Sequence, residues 1–233
     1  MVCSTWRRGL VGIFGAGLLV LGGCSTSRAN AKVNDEWMAR VPDAQLGDVR
    51  QAQMAQQKAD ESVKRAEVEV QDAKSAESAA KHNEDAAKSR RAASQKTLEA
   101  AMAKGRAEAI SQAQNDLQDA NAGVVAASSE VAYRKRAVAT KEATKTLRER
   151  ERSVAEAQLA QEQYQALKKS GDVRAQKLSA SKFDAELADA RRKEEEAQRN
   201  VDSQRQREQQ ARADWKQKQE SAQGYGGSGS STK

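Results

Sequence analysis

Apolar side chains recur at alternating steps of three and four residues along most of this chain, which is the spacing that lets long helices pack through one face. The first series starts at Val49 and ends at Ala101, and eleven of its sixteen positions are apolar. It predicts a helix over about residues 45–103, which Asp43 caps after Pro42. We expect the middle of this helix to be its most loosely packed part, because the series is weakest at Glu77, Glu84, Arg91 and Ser94.

A second series begins after Gly105, a residue that readily takes the left-handed conformation at a helix end. It is apolar at every position from Ile110 to Val131 and predicts a helix over about 107–169. The spacing lapses from Tyr133 to Lys141 and resumes in another phase, which indicates a register shift.

A third series runs from Phe183 to Trp215, after a second stop at residues 169–172, and predicts a helix over about 181–222. Ser181 and Asp184 have the spacing of a capping box at its start. Short connections make neighbouring helices antiparallel. The predicted fold class is therefore all-α: a long antiparallel coiled-coil hairpin of two helices, with a third, shorter helix packed back along it.

This arrangement predicts specific residue pairs. Across the hairpin, positions whose numbers sum to about 210 face each other. Across the first two helices, Val63 should face Leu147 and Leu46 should face Tyr164. Across the last two, Phe183 should lie near Leu167 and Trp215 near residues 131–138.

Composition agrees with long helices and argues against a globular enzyme domain. Pro42 is the only proline, aromatic residues make up 3% of the chain, and charged residues make up 31%. The single histidine, His82, lies off the first series, where a solvated helix residue is the expected interpretation. With no histidine, thiol or carboxylate pocket suited to acid–base chemistry, we predict no enzymatic activity, no cofactor and no metal site.

The N-terminus has the three parts of a secretory signal peptide: basic Arg7 and Arg8, an apolar run from Gly9 to Gly23, and small residues before Cys24. The segment Leu21-Gly22-Gly23-Cys24 resembles the lipobox of bacterial lipoproteins. That resemblance implies removal of residues 1–23 and attachment of membrane lipid at Cys24. An uncleaved membrane anchor is the alternative, but fifteen apolar residues are short for a spanning helix.

The remaining segments follow from this assignment. Residues 24–42 are predicted to be a lipid-anchored linker, disordered apart from one short helical turn around Asp35-Glu36-Trp37, and residues 43–223 a helical rod. Ser25 stands where aspartate favours inner-membrane retention in well-studied lipoproteins, so the resemblance implies an outer-membrane location facing the periplasm. The body resembles the alanine-rich coiled-coil lipoproteins of Gram-negative envelopes.

The C-terminus, residues 224–233, is rich in glycine and serine and is predicted to be a flexible, disordered tail. It ends in Lys233, an arrangement similar to that of the Braun's-lipoprotein family, whose terminal lysine is joined to peptidoglycan. The resemblance implies a peptidoglycan link through Lys233.

Charge suggests partners only weakly. The chain has a net charge of +7, but basic and acidic residues are interleaved along the helices, and no series of exposed aromatic residues accompanies them. We therefore predict no binding of nucleic acid. The expected partners are membrane lipid through Cys24 and either peptidoglycan or another envelope protein. Alanine-rich series also serve between chains, so self-association stays open.

Two functions of different class agree with these features. The first is a structural or scaffolding lipoprotein of the cell envelope, a helical spacer without catalytic activity. The second is an adaptor or accessory subunit of a trans-envelope export or efflux assembly. Efflux adaptors are similar to this chain in their helical hairpin, although the β-rich domains of that family are missing here. An adaptor would dock through the hairpin tip at Lys104, Gly105 and Arg106.

Overall fold

A computed structural model of the chain describes residues 32–225, and these residues are helical without any β-strand. The predicted all-α class is confirmed for this part of the chain. A short helix and three long ones follow in order, with 3-10 turns at Asp43–Gln45 and Val173–Lys177: α1 (Asp35–Met38), α2 (Gly47–Lys104), α3 (Ala107–Lys169) and α4 (Ala180–Tyr225).

Both predicted stops are formed by glycine in the left-handed conformation. Gly105 has a φ of 68°, and its N–H donates to the carbonyl oxygens of Ala101 and Met102 at 3.2 and 3.1 Å. Gly171 has a φ of 72° and closes α3 by donating to the Lys168 carbonyl oxygen. A side chain at either position would strain the backbone, so glycine is what allows the chain to reverse there.

Helix α3 lies between α2 and α4. Both contact it along their length, whereas α2 and α4 have almost no close backbone contact with each other within residues 32–225. Interhelical ion pairs between α2 and α3 show that the two helices run antiparallel. The N–O distances of these pairs are 2.8 Å for Lys141–Glu69, 3.3 Å for Lys145–Glu67 and 3.0 Å for Lys74–Glu142.

Aromatic stacking fixes the antiparallel register of α3 and α4 at both ends. Tyr164 stacks on Phe183 with ring centroids 5.0 Å apart, and Tyr133 stacks on Trp215 at 5.2 Å. The Trp215 contact falls within the stretch that the sequence predicted. From this register, the end of α4 at Tyr225 lies level with about residue 123 of α3.

The predicted packing positions are the ones that α2 and α4 bury. Every buried residue of α2 belongs to the first apolar series: Val49, Ala52, Val63, Ala66, Val70, Ala80 and Ala101. In α4, Phe183, Leu187, Ala190, Ala197 and Val201 are buried. His82 is exposed, as expected for a residue off the series. No α2 residue between Ala80 and Ala101 is buried, so the loosely packed stretch contains Glu84, Arg91 and Ser94, as predicted, and extends into the C-terminal part of the helix.

The change of phase in α3 coincides with its second partner. Leu147 forms a buried cluster with Ala143, Ala197 and Val201, and this cluster does not include Val63. The predicted pairing of Val63 with Leu147 is therefore wrong, because Leu147 faces α4. A helix that lies between two others needs two apolar faces, and a sequence pattern for one face changes phase where the other takes over.

All the described helices meet at one end of the body in a group of buried residues that we call the base cluster: Val33, Val41, Val49, Tyr164, Ala166, Leu167, Ala175 and Phe183. Leu46 packs against this cluster, which agrees with its predicted proximity to Tyr164. Phe183 and Leu167 also lie in it together, as predicted. Val33 and Val41 belong to the predicted linker, so the linker's second half, which contains α1 at the predicted turn, packs against the body.

Two predicted caps are wrong. Asp43 accepts a hydrogen bond from the Arg50 side chain at 2.7 Å, and α2 begins without a side-chain cap at Gly47. Helix α4 begins at Ala180, so Ser181 lies inside the helix rather than before it. Both residues have partners that the linear pattern did not include: Arg50 for Asp43, and the Ser179 hydroxyl, 2.8 Å away, for Ser181.

Candidate functional site

The structure describes three of the five predicted site residues. Lys104 ends α2, Gly105 makes the turn, and Arg106 precedes α3 in an extended conformation. All three residues are exposed at the tip of the α2–α3 pair. Cys24 and Lys233 lie outside the described residues, and the lipid and peptidoglycan links stay predictions.

The tip presents two cations close together in the chain. Neither Lys104 nor Arg106 forms an ion pair within residues 32–225, although Glu108 follows Arg106 by two positions. A pair of exposed cations on a tight turn can contact an acidic surface. The tip is therefore a candidate contact point.

Helix α3 forms the floor of a groove between α2 and α4, with a volume of about 500 Å³. Its walls carry Arg65 and Glu69 from α2 and Arg205 and Glu208 from α4. Lys141 donates to Glu69 at 2.8 Å and lowers the pKa of that carboxyl. Arg148 on the groove floor pairs with Glu151 at 2.6 Å. Since most of these charges have partners on the body itself, the groove presents no concentrated charge to a ligand.

Two residues beside the base cluster, Asp172 and Arg174, form a hydrogen-bonded ion pair that was not predicted from the sequence and that we call the polar latch. Asp172 accepts hydrogen bonds from the backbone N–H and the Nε of Arg174, at 2.9 and 2.8 Å, and also pairs with its terminal nitrogen. These hydrogen bonds lower the pKa of Asp172 to about 2, and those from the Arg174 side chain have the largest effect. The Arg174 guanidinium lies 5.4 Å from the centroid of the Trp37 ring. The latch thus connects the loop after α3 to α1.

A signal for part of this arrangement was present in the sequence. Val33, Trp37 and Val41 are spaced by four, the spacing of one helical face, and they stand in a segment otherwise rich in polar residues. Arg174 could not have been found in this way, because its contact with Trp37 joins residues more than a hundred positions apart.

A metal centre or a membrane span is not found in the described part of the chain. Among residues 32–225, no three histidine, cysteine or acidic side chains are grouped so that they could hold a metal ion. None of the helices there combines the length and apolar character needed to cross a membrane. Whether the protein lacks activity, cofactor and metal therefore stays a prediction.

Comparison with known proteins gives no family for the chain. It matches no described protein family, no curated protein and no solved structure.

Proposed function

We propose that the protein is a lipid-anchored structural or scaffolding lipoprotein of the cell envelope, a helical spacer without catalytic activity. Its body, residues 43–223, is then a coiled-coil hairpin with a third helix packed along it. The proposed disordered tether is limited to residues 24–31 and the proposed disordered tail to residues 226–233. The observation that carries this proposal is the uninterrupted length of α2 and α3, 58 and 63 residues. At 1.5 Å per residue these helices are about 87 and 95 Å long.

The proposed anchor is a lipid on Cys24, after removal of residues 1–23. It is supported by the lipobox residues, and Ser25 favours the outer membrane facing the periplasm. The chain between the anchor and the rod is short, because α1 and its neighbours, Val33 and Val41, pack in the base cluster. A short tether suits a spacer, since a long flexible linker would make the distance between the membrane and the far end of the rod variable.

The anchor is tested by replacing the cysteines one at a time. Cys24→Ser should abolish incorporation of labelled palmitate into the chain and leave a precursor with residues 1–23 attached. Cys3→Ser is the matched control, because Cys3 lies in the removed segment and should leave labelling unchanged. Equal labelling of wild type and Cys24→Ser, or loss of labelling only in Cys3→Ser, would contradict the lipoprotein assignment.

The spacer role is tested by changing the length of the rod in phase. Two heptads added at facing levels of α2, α3 and α4 should lengthen it by about 21 Å. The distance between membrane and cell wall, measured by electron cryo-tomography, should increase in cells that make this variant. The same number of glycine and serine residues added to the tail after residue 226 is the control and should not change the distance. An unchanged distance in cells with the longer rod would contradict a spacer.

An adaptor or accessory subunit of an export or efflux assembly is the second candidate. It is favoured by the exposure of Lys104 and Arg106 at the tip. A photo-crosslinking residue at position 104 in living cells should then give one discrete adduct with another envelope protein. The same probe at Lys193, an exposed residue of α4, is the control. Adducts of the tip probe with wall material or with the chain itself would favour the spacer.

We also propose a covalent link between Lys233 and peptidoglycan. The support is an amine at the end of a Gly/Ser-rich tail, which resembles the arrangement in the Braun's-lipoprotein family. Lys233→Arg removes the nucleophilic amine but keeps the charge. It should release the chain from wall fragments that resist boiling detergent, whereas replacing Lys216 by Arg should have no effect. Complete release of the wild-type chain by detergent would contradict the link.

A further inference from the structure

The part of the body farthest from the base cluster contains only two of the long helices. We call it the distal segment: residues 86–126, from the last third of α2 through the tip to the first third of α3. The described part of α4 ends at Tyr225, level with about residue 123, so among the described residues α4 lies beside only the α3 end of this segment. Past that level, the face of α3 that carries Tyr133 continues with Ala122 and Asp119.

Packing in the distal segment leaves apolar side chains open to solvent. Met102 and Val125 are 53% and 51% exposed. Leu98 and Leu117 are only partly buried and line, with Met102, a shallow groove of about 430 Å³. Only alanines, Ala101 and Ala113, are buried in this segment, and a buried alanine removes little apolar area from water.

Charges in the distal segment are segregated by helix. Residues 86–106 contain six basic residues and one acidic residue, a net charge of +5. Residues 107–126 contain three acidic residues and no basic residue, a net charge of −3. The five ion pairs that connect α2 with α3 all lie closer to the base, the last at Lys74–Glu142. The basic and acidic faces here are complementary, but no ion pair of the described chain joins them.

We propose that the distal segment binds the distal segment of a second copy of this chain. A two-fold axis would place the basic α2 of each copy along the acidic α3 of the other, on the face that α4 covers nearer the base. This arrangement uses the same complementary contact twice, as isologous dimers do. A different, wholly anionic partner would meet the basic helix with attraction and the acidic helix with repulsion, so the charge pattern favours a second copy.

The association should depend on salt, because the charges that favour it are exposed. Raising the ionic strength from about 0.05 M to about 0.5 M shortens the screening length well below the distance across a helix pair. We expect the dimer of full-length chain, purified in detergent, to dissociate over this range in sedimentation-velocity experiments. The proposal concerns only the contact between copies and does not rest on the lipid anchor or on the spacer function.

Charge reversal on one helix at a time gives the sharpest test. The first variant carries Arg90→Glu, Arg91→Glu and Lys96→Glu on α2, and the second carries Asp116→Lys and Asp119→Lys on α3. Full-length chains with two different affinity tags are produced together, and the amount of one that co-purifies with the other is measured. Each variant should bind its own kind at least about tenfold less than wild type binds itself. The two variants mixed with each other should regain the wild-type level.

This recovery distinguishes contact between copies from contact within one chain. Reversal of either helix creates repulsion inside its own hairpin, and mixing does not relieve that repulsion. Only pairing of the acidic α2 of one variant with the basic α3 of the other does so. Recovery also requires both variants to be folded, which their helix content by circular dichroism checks independently.

The matched control reverses three exposed arginines of α4 that lie outside the distal segment: Arg199→Glu, Arg207→Glu and Arg212→Glu. It changes the net charge as much as the first variant does and should leave self-association unchanged. A monomeric wild-type chain at low salt would overturn the proposal. So would equal loss in the control, or a mixture of the two folded variants that does not associate. Binding of the chain to anionic vesicles, lost only on reversal of α2, would indicate a membrane partner and likewise overturn it.

Discussion

The two ends of the α2–α3 pair share one sequence pattern and differ in what they bury. At the base, Leu167 is fully buried and Phe183 is 2% exposed. In the distal segment, the corresponding large residues Leu98 and Leu117 remain partly exposed. Apolar residues recur at both ends, although Arg91 and Ser94 interrupt the series of α2 in the distal segment. The third helix and α1 add to the difference, because they supply the base with large side chains that alanine-rich pairs lack.

The comparison is tested most severely by removing the ring at the centre of the base. Phe183→Ala deletes a buried side chain that stacks on Tyr164 at 5.0 Å and should lower the free energy of unfolding by about 3–5 kcal/mol. Met102→Ala in the distal segment is the control and should change it by less than about 0.5 kcal/mol, because Met102 is 53% exposed. Thermal unfolding followed by circular dichroism measures both. Equal losses would mean that stability is spread evenly along the rod.

A smaller and local effect is expected at the free end of α4. Trp215 stacks on Tyr133, and the Arg134 guanidinium lies 5.8 Å from its ring centroid. Trp215→Ala removes a stacked pair worth about 1 kcal/mol beyond its buried area. Hydrogen exchange should accelerate in residues 205–225 and stay unchanged at the base. Trp215→Phe, which keeps a ring, should restore most of the protection, and faster exchange throughout α4 would contradict a local role.

Two glycines of the hairpin should respond to alanine in opposite directions. At Gly105 the φ of 68° strains any other residue, so Gly105→Ala should destabilise the chain by about 1 kcal/mol. Gly123 lies within α3, and an added Cβ there would meet no atom within 4 Å. Gly123→Ala should therefore stabilise the helix by about 0.5–1 kcal/mol. Chemical unfolding measures both changes, and a loss at residue 123 would show that glycine is needed there for close contact.

Acid should loosen the base by opening the latch between Asp172 and Arg174. The pKa of Asp172 falls from 3.8 to about 2 in the folded chain, chiefly through its hydrogen bonds from Arg174. A carboxyl whose pKa is lowered by folding contributes stability above its ordinary pKa and loses that contribution as the pH falls toward the lowered value. The latch should therefore open between about pH 4 and pH 2.

The fluorescence of Trp37 reports this opening, because the Arg174 guanidinium lies 5.4 Å from its ring. Trp6 and Trp215 are replaced by phenylalanine so that only Trp37 emits. Asp172→Asn should remove the transition in this pH range. Persistence of the same transition in that variant would assign it to other carboxyl groups.

Much of the fold could be predicted from local spacing, and the errors have one physical cause. The buried positions of α2, the turn at Gly105 and the contact of Trp215 with α3 follow from periodicity and from the length of each helix. Periodicity describes one face, however, and α3 has two. The pairing of Leu147 was wrong for that reason, and so was the expectation that residues as far as Val41 form a free linker. Such contacts depend on distant residues, which spacing cannot reveal.

For the predicted site as well, local features could be predicted from the sequence, whereas contacts between distant residues could not. The backbone conformation of Gly105 can be predicted from the sequence, because few residues other than glycine adopt it readily. The charge segregation of the distal segment is also visible in the sequence once the helix ends are known. Its significance depends on where α4 stops and on which ion pairs form, and both are properties of the folded chain.

The stacking of Tyr164 on Phe183 has a consequence for the order in which the chain folds. These rings are separated by 19 positions, whereas contacts of the base cluster with Val49 close loops of more than a hundred residues. Short loops cost less entropy to close, and this short loop brings together the largest buried side chains. We expect folding to begin at the α3–α4 connection, with α2 joining later although it is synthesised first. A φ-value at Phe183 well above that at Val63 would bear this out, and the reverse would contradict it. During synthesis, α2 then has no folded α3–α4 pair to pack against until almost the whole chain has emerged from the ribosome.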